Sequence, residues 1–264
     1  MINGDRGKQI NINLPKKILI AILILGVLLA LASVFVYISK NLRLPKTSEA
    51  DFEVGWREDF SNTVRSGKNI LPKNWQVRGK PGTPVSKFTV EDRGEKGSKF
   101  LLVSSDKSTG SLVTLAKDLD LKLTPVLQWK WKADKLPTNA DGRDPSKDDQ
   151  AIGVYVGNGN LFNNKSVSYR WDTETPVGTE GNSVYGMGTV KVKWITLRNI
   201  KDAKKGQWFT ESRNFLEDFK NAWGQAPKTV YISVTTNSQY TASTASAQLG
   251  WIEFNSKVKK GDLL

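Results

Sequence analysis

One loop between two predicted strands concentrates carboxylates that could hold a metal ion. The segment TNADGRDPSKDD, at residues 138–149, contains a glycine and a proline that would turn the chain, and four aspartates: Asp141, Asp144, Asp148 and Asp149. Calcium takes six to eight oxygen ligands, which carboxylates and backbone carbonyls can supply together. Because the segment lacks the spacing of an EF-hand, a solvated acidic loop stays open as the alternative to a calcium site.

A second set of carboxylates comes from the two ends of the β-rich region. Glu58 and Asp59 lie near its first strand, and Glu253 lies on its last predicted strand. The terminal strands of a jelly roll often pair, which would bring the three together as a second candidate calcium site. The alternative is that Glu253 faces solvent. We expect no cofactor beyond such a structural calcium ion.

The composition excludes most other site chemistries. The chain has no histidine and no cysteine, so it cannot build a Ser-His-Asp triad, a thiolate or imidazole zinc site, or a disulfide. A metal would have to be bound through oxygen, which indicates calcium or magnesium. The formal net charge is +13, and the basic residues of the β-rich region are scattered singly. Nucleic acid is therefore not an expected partner.

An enzyme built from this chain would have to rely on carboxylates. Glycoside hydrolysis uses one acid of raised pKa and one base or nucleophile, held about 5 to 9.5 Å apart. Asp149, Asp172 and Glu211 are the candidates because each lies near the end of a predicted strand. The spacing along the chain does not set their separation in space. Glycan cleavage therefore stays an alternative to binding without catalysis.

A β-rich domain must position these side chains. After residue 55 the chain repeats short alternating segments separated by Gly, Pro, Asn and Asp, a pattern typical of an antiparallel β-sandwich. It predicts strands at residues 75–79, 87–92, 98–104, 111–116, 126–132, 150–157, 166–172, 189–199, 207–212, 229–236 and 247–254. Within residues 189–199 the apolar alternation shifts between Trp194 and Ile195, which predicts a bulge there.

One segment departs from this alternation. Residues 213–224, RNFLEDFKNAWG, end in a glycine, and a proline follows shortly after. Four apolar side chains share one helical face of the segment: Phe215, Leu216, Phe219 and Trp223. This spacing and ending predict one short amphipathic helix that packs on the sandwich.

Residues 18–38, ILIAILILGVLLALASVFVYI, carry no charge over 21 positions. At about 1.5 Å per residue, a helix of this length spans the roughly 30 Å hydrocarbon core of a bilayer. Lys16 and Lys17 directly precede the run. They favour a cytoplasmic N-terminus, a single span of the cytoplasmic membrane and a domain on its extracytoplasmic, periplasmic side. Alternatively, Ala30 and Ala32 form a signal-peptide site with cleavage after Ala32.

The chain thus divides into five predicted parts. They are a short cytoplasmic N-terminus (1–17), a transmembrane signal anchor (18–38), a linker (39–55), a β-sandwich domain (56–255) and a basic C-terminal tail (256–264). The predicted fold class is all-β: an antiparallel jelly-roll-like β-sandwich with one short amphipathic helix, preceded by a single transmembrane helix. The sequence indicates no particular oligomeric state.

Several motifs follow one another in the order of a bacterial family. They are WKW at residues 129–131, DDQA at 148–151, YRWD at 169–172 and ESRNFLEDFKNAWGQAP at 211–227. Together they resemble the bacterial domain-of-unknown-function 3047 family over roughly residues 56–254. The resemblance implies an exported β-sandwich, similar in predicted shape to jelly-roll carbohydrate-binding modules. It brings no established activity.

Strand alternation indicates which side chains could meet a ligand. When the apolar residues of each strand face the core, these polar or aromatic side chains point outward: Gln128, Lys130, Lys132, Tyr155, Arg170, Asp172 and Tyr231. Ala151 and Gly153, outward by the same alternation, would leave room for a chain. Sugar rings stack on aromatic side chains and their hydroxyls bond planar polar groups. We therefore expect an envelope or environmental glycan as ligand, with an ordinary half-exposed sheet face or a protein-binding structural role as alternatives.

Overall fold

The computed structural model describes residues 52–92, 98–160, 163–204 and 206–259 of the chain. Within these ranges the chain forms fifteen strands and one α-helix, α1 (Phe215–Trp223). The strands are β1 (Phe52–Glu58), β2 (Thr63–Ser66), β3 (Asn69–Pro72), β4 (Gln76–Arg78), β5 (Lys87–Asp92), β6 (Lys99–Asp106), β7 (Thr109–Leu115), β8 (Val126–Lys135), β9 (Gln150–Asn160), β10 (Asn163–Trp171), β11 (Glu180–Tyr185), β12 (Val190–Arg198), β13 (Phe209–Asn214), β14 (Tyr231–Asn237) and β15 (Thr244–Lys259). The expected all-β architecture is confirmed.

Most of these strands belong to two large sheets. In the six-stranded sheet the order is β13-β8-β15-β6-β5, and β1 also pairs with β15. In the seven-stranded sheet the order is β11-β12-β10-β9-β14-β7-β4. Strands β2 and β3 form a separate pair. Strands that follow one another in the chain, such as β8 and β9, often belong to different sheets. Segments that are close in sequence are therefore divided between the two layers.

One strand pair differs from the antiparallel arrangement that the alternation predicts. Strands β10 and β12 run parallel, with Ser168 opposite Trp194 and Arg170 opposite Thr196. The chain between them, residues 172–189, includes β11, which pairs antiparallel with the other edge of β12. This long connection returns the chain to the end where β10 begins, which a short hairpin cannot do.

The two large sheets pack face to face through aromatic side chains. The ring centroids of Trp129 on β8 and Tyr169 on β10 are 5.1 Å apart, and those of Trp131 and Trp171 are 5.6 Å apart. All four side chains are fully buried. The inward alternation predicted for β8 and β10 is therefore confirmed, and large aromatic side chains of this kind dominate the energetics of a core.

Helix α1 packs against the same core. The side chain of Asn214 caps its first turn, and Gly224 ends it in a left-handed conformation that glycine adopts without strain. Phe215 and Phe219 are buried, and the ring of Phe215 meets that of Phe254 on β15 at 5.7 Å. The prediction of one short amphipathic helix is confirmed.

The bulge predicted between Trp194 and Ile195 is wrong. Strand β12 continues there without interruption, and its register shifts only between Thr196 and Arg198. Trp194 faces the outer side of the seven-stranded sheet but is only 4% exposed. It is covered because Arg170 lies over its ring, with the guanidinium carbon 5.3 Å from the ring centroid. The consecutive apolar residues therefore reflect a strand covered on both faces.

Several predicted parts of the chain lie outside the described residues. These are the cytoplasmic segment 1–17, the span at 18–38, most of the linker 39–55 and the end of the tail 256–264. In the part of the chain that the structure describes, no helix is long and apolar enough to cross a bilayer. The strands extend beyond the predicted sandwich at both ends, because β1 begins at Phe52 and β15 reaches Lys259.

Candidate functional site

A groove lies on the outer face of the seven-stranded sheet. It has a volume of about 450 Å³, which is within the range of small-molecule sites. The residues that line it are Lys80, Thr109, Gln150, Tyr155, Tyr185, Gly186, Thr235, Asn237, Gln239 and Tyr240. We call it the tyrosine groove. It combines three phenol rings with three side-chain amides, and none of these described lining residues is acidic.

The polar floor of the tyrosine groove forms where β9 and β14 meet. Nε2 of Gln150 donates hydrogen bonds to the hydroxyl of Tyr155, at 3.0 Å, and to the hydroxyl of Thr235, at 2.9 Å. A Cβ atom on Gly153 would lie 2.6 Å from the Tyr155 ring. The ring can lie across the sheet because this position is glycine.

A β-bulge brings Gln150 to the outer face. On these two strands Thr235 pairs with Gly153, and the next pair is Asn237 with Gln150. The two pairs are two residues apart on β14 but three residues apart on β9, so β9 carries one extra residue. Both Ala151 and Ile152 consequently lie in the hydrophobic core. The expectation that Ala151 faces outward is therefore wrong, and strict alternation along β9 does not predict Gln150 as a lining residue.

Asp149 holds the turn that carries Tyr240. Its fully buried carboxylate accepts hydrogen bonds from the side-chain amide of Asn237 (3.1 Å) and from the backbone N–H of Tyr240 (3.3 Å). It also accepts from the backbone N–H and the hydroxyl of Thr241, at 2.7 and 2.8 Å. Tyr240 itself is 38% exposed at the rim, where Nζ of Lys80 lies 5.5 Å from its ring centroid. A carboxylate with four donors is a structural anchor for this rim.

A buried ion-pair cluster lies next to the groove, on the same outer face of the seven-stranded sheet. Nε of Arg170 donates to Asp172 at 2.9 Å and Nη1 donates to Asp148 at 2.6 Å, and all three side chains are buried. Burial by itself would lower the pKa of Arg170, but Asp172 and Asp148 together raise it above its ordinary value. The guanidinium therefore stays charged and cancels part of the negative charge of its two partners.

Asp148 connects this cluster to the wall of the groove. The hydroxyl of Tyr185 donates a hydrogen bond to its Oδ2 atom. Burial, followed by the proximity of Tyr155 and Asp148, raises the pKa of Tyr185 well above its ordinary value. Tyr185 is consequently a protonated donor across the pH range in which proteins are studied, and its ring is held in place in the wall.

The structure divides the predicted binding residues between opposite faces of the molecule. Gln128, Lys130 and Lys132 are on β8 of the six-stranded sheet. There the Nζ atoms of Lys130 and Lys132 lie 5.8 and 5.5 Å from the ring centroid of Trp208. Of the seven predicted residues, Tyr155 lines the tyrosine groove.

Arg170 and Asp172 are wrongly predicted to be exposed. Both are on the outer face of the seven-stranded sheet, as alternation predicts, yet both are fully buried. The loop at residues 138–149 covers them: a Cβ atom on Gly142 would lie 3.1 Å from Nη1 of Arg170 and 3.1 Å from Oδ2 of Asp172. Alternation along a strand predicts the side of the sheet but not what covers that side.

Tyr231 lies on the same sheet but outside the groove. It is 41% exposed and is the first residue of β14, opposite Leu115. The groove lies at the other end of β14, where Asn237 is opposite Thr109. Tyr231 is therefore about as exposed as Tyr240 but lies outside the groove.

The four aspartates of the loop do not come together as a calcium site. Among the described residues, no three acidic side chains are grouped so that they could hold a metal ion. Asp141 accepts hydrogen bonds from the guanidinium of Arg143 at 2.8 and 2.6 Å, and Asp144 caps a short 3-10 helix. The carboxylates of Asp148 and Asp149 accept the hydrogen bonds described above. The loop is a hydrogen-bonded turn over the Arg170 cluster.

The second predicted calcium set, Glu58, Asp59 and Glu253, is also separated. Strands β1 and β15 pair as expected, but Arg57 lies opposite Glu253 and forms an ion pair with it. Glu58 instead lies opposite the buried Ile252. Because successive residues of a strand point to opposite faces, Glu58 and Glu253 are on different sides of the sheet.

The three candidate catalytic carboxylates all have structural partners. Asp149 and Asp172 are fully buried. Glu211 is on β13 of the six-stranded sheet, where it accepts hydrogen bonds from Arg198 at 2.7 Å and from the indole of Trp131 at 3.0 Å. None of the three is among the described residues that line the tyrosine groove.

Most of the groove is not evident from alternation. Tyr185 is on β11, a strand that the pattern does not predict, and Gln239 and Tyr240 are in the turn after β14. The available signal is the segment NSQY at residues 237–240, which is polar and ends in an aromatic residue directly after a strand. Loops at strand ends often carry binding residues.

The loop over the cluster gives a pH-dependent signal. The hydrogen bonds from Arg143 lower the pKa of Asp141 from its ordinary 3.8 to about 2. Because the folded-state pKa is lowered, this interaction stabilises the loop above pH 3.8 and is lost as the pH falls through about 2. We expect carboxyl ¹³C NMR titration to show this low value and Arg143→Gln to move it back toward 3.8. An unchanged value in the variant would contradict this assignment.

One family model matches most of this chain. The family model described as "Protein of unknown function (DUF3047)" matches residues 73–253. No curated protein matches the sequence.

The comparison with solved structures finds matches of low sequence identity and low TM-score. One is the family 11 carbohydrate-binding module of a cellulosomal cellulase of Clostridium thermocellum (TM-score 0.38, 10% identity, 79% of this chain and 97% of that chain). Another is a cellulase derived from the Cel12A cellulase of Rhodothermus marinus (TM-score 0.37, 13% identity, 67% of this chain and 91% of that chain). A third is bacteriophage CBA120 tailspike protein 4 (TM-score 0.33, 10% identity, 68% of this chain), of which this chain spans 19%. Likenesses of this degree do not identify a ligand.

Proposed function

We propose that this chain, which belongs to the DUF3047 family of proteins of unknown function, binds a glycan in the tyrosine groove. The observation that carries the proposal is the convergence of three tyrosines and three side-chain amides in one groove. All its lining residues lie within the part of the chain that the family model matches.

The groove supplies the two kinds of contact that a sugar requires. The rings of Tyr155, Tyr185 and Tyr240 offer apolar faces on which the C–H face of a pyranose stacks. The amides of Gln150, Asn237 and Gln239 offer donors and acceptors to its hydroxyls. The groove is also pre-organised, because Gln150 and Asp149 already hold its floor and rim. Pre-organisation lowers the entropy cost of binding.

The proposed activity is binding without cleavage. Hydrolysis of a glycosidic bond needs two carboxyl groups on either side of the bond. The described residues that line the groove provide none, and Asp149 and Asp172 are buried next to it with their oxygens bonded. Glycan cleavage by a carboxylate pair therefore has no supporting arrangement in this groove.

The proposed setting is the extracytoplasmic face of the cytoplasmic membrane. The uncharged residues 18–38 support a single membrane span that holds a jelly-roll-like sandwich outside the cytoplasm. A glycan of the envelope or of the surroundings would then be within reach of the groove. Protease accessibility of the sandwich domain in intact spheroplasts tests this location.

The test of glycan binding compares two exposed tyrosines. We expect affinity electrophoresis of the full chain in detergent, through gels with a β-glucan, a mannan or a polyuronate, to show retardation by one of them. Tyr240→Ala should weaken this binding at least tenfold, because one stacking face at the rim is lost. Tyr231→Ala should leave it unchanged, because Tyr231 is similarly exposed but outside the groove.

The outcomes are distinguishable. Equal loss in both variants would indicate a general effect of removing a surface tyrosine and would contradict the groove as the site. Loss in Tyr231→Ala alone would place the site at the other end of β14. No retardation by any of the three polysaccharides would count against glycan binding itself.

A further inference from the structure

A second cavity, of about 750 Å³, is lined by the chain after β7, by one face of α1 and by the chain before β14. Apolar side chains form part of its floor, among them Leu115, Leu121, Leu216 and Val230. Six charged residues also line it: Lys117, Lys122, Lys220, Lys228, Asp118 and Asp120. We call it the lysine cleft.

The lysine cleft and the tyrosine groove lie at opposite ends of the sandwich. Leu115, which lines the cleft, is opposite Tyr231, whereas Thr109, which lines the groove, is opposite Asn237. These two paired positions are separated by the length of β7 and β14, which is roughly 20 Å at about 3.3 Å per residue. The two cavities are therefore separate sites.

The charges of the cleft favour an anionic partner. Its four lysines are exposed, and within the described ranges none of them has an ion-pair partner. Asp120 is engaged by its own turn, since its carboxylate accepts the backbone N–H of Lys122 at 2.8 Å. Beside the cleft, Leu123 leaves 50% of its surface exposed. Ammonium groups around a partly apolar floor match phosphate headgroups above acyl chains.

The chain enters the sandwich at the cleft end. Strand β8 begins at Val126, directly after the loop that lines the cleft, and Asn255 lies opposite both Val126 and Val54 of β1. Gly55 is in close contact with Thr124, whose Oγ1 would lie 2.3 Å from a Cβ atom at position 55. The start of β1 is therefore beside the loop of the cleft. In sequence, a short polar stretch separates this start from the uncharged residues 18–38.

We propose that the lysine cleft docks on the anionic phospholipid headgroups of the membrane, independently of what the tyrosine groove binds. A lysine near an anionic bilayer is attracted over about a Debye length, so a docked cleft requires a bilayer close to this end of the domain. The membrane span proposed for residues 18–38 supplies that proximity. Docking at this end turns the tyrosine groove away from the bilayer.

The absence of cysteine from the chain permits a single-label test. The full chain carrying Thr229→Cys, a residue that lines the cleft, receives a fluorophore and is assembled into nanodiscs with a headgroup-attached quencher. We expect quenching to be at least about twofold stronger with phosphatidylglycerol than with phosphatidylcholine alone. About 0.5 M salt should remove the difference, because it shortens the Debye length to a few ångströms.

Three controls make the result decisive. A label at Lys135→Cys, at the far end of β8, should show no dependence on lipid charge. Replacing Lys117, Lys122, Lys220 and Lys228 by glutamine should remove the dependence at position 229, whereas replacing them by arginine should keep it. Equal quenching in the two lipids, no quenching in either, or an unchanged response of the folded glutamine variant would overturn the proposal.

Discussion

Arg170→Gln is expected to lower the free energy of unfolding by about 3–5 kcal/mol, because it leaves two buried carboxylates without their cation. The guanidinium bonds both Asp148 and Asp172, and all three side chains are buried. For a domain of this size the loss corresponds to a fall in Tm of about 6–20 °C. Thermal unfolding of the full chain in detergent, followed by tryptophan fluorescence, measures it. Glycan binding should fall as well, since Asp148 holds Tyr185 in the groove wall.

The matched control is Arg143→Gln. Arg143 and Asp141 are also 2.6 Å apart, but the Arg143 side chain is 52% exposed whereas that of Arg170 is 1% exposed. An exposed pair contributes little to the free energy of unfolding, so this variant should unfold near the wild-type temperature. Similar shifts in the two variants would show that burial of the Arg170 cluster does not determine its contribution. Arg170→Lys should not restore stability, because an ammonium group does not have the planar, spaced N–H donors with which the guanidinium bridges Asp172 and Asp148.

Local periodicity was sufficient to predict which side chains of β8 and α1 face the core. Trp129 and Trp131 on β8 have the two-residue alternation of a half-buried strand, and both lie in the core. The helix around Phe215 and Phe219 has its own period of 3.6 and a glycine at its end. Such patterns depend on neighbours within one element, so a single sequence contains them. They also predicted that Tyr155 points outward, and in the structure it lines the tyrosine groove.

The rest of the groove depends on contacts between distant parts of the chain. Gln150 reaches the outer face through a bulge against β14, and Asp149 anchors a turn about 90 residues further on. The burial of Arg170 depends on a loop that crosses the sheet. The strand order places Lys130 and Tyr155 in different layers although both are outward by alternation. Alternation within one strand contains no information on these pairings.

The opposite placement of the two cavities has a consequence for function. A protein that presents a binding groove to a glycan must keep it accessible, and a domain close to a bilayer has one end obstructed. The lysine cleft lies at the end where β1 begins, and the tyrosine groove lies at the other end of β7 and β14. The proposed membrane contact and the proposed glycan site are therefore compatible in one molecule.

Asp149→Asn is expected to lower both the stability and the glycan affinity of the protein. The Oδ1 atom of Asp149 accepts hydrogen bonds from the side-chain amide of Asn237 and the backbone N–H of Tyr240. Its Oδ2 atom accepts them from the backbone N–H and the hydroxyl of Thr241. Asparagine has an NH₂ group in place of one of the two carboxylate oxygens. The buried donors that face this NH₂ group therefore lose their acceptor. We expect a cost of about 3 kcal/mol, because hydrogen bonds to a charged group contribute about 1.5–3 kcal/mol each. The rim that carries Tyr240 should loosen, with at least a tenfold loss of glycan affinity.

Asp144→Asn is the control in the same loop for the effect of Asp149→Asn. Asp144 lies at the surface, where it caps a short 3-10 helix and lies 3.6 Å from the ammonium group of Lys147. Asparagine caps as well as aspartate does and an exposed ion pair contributes little, so this variant should unfold near the wild-type temperature. A calcium-binding role for Asp149 would give a different result, namely a wild-type melting temperature that falls when a chelator removes the metal. Thermal unfolding with and without chelator separates the two. A stable Asp149→Asn variant with intact glycan binding would show that the rim does not depend on this carboxylate.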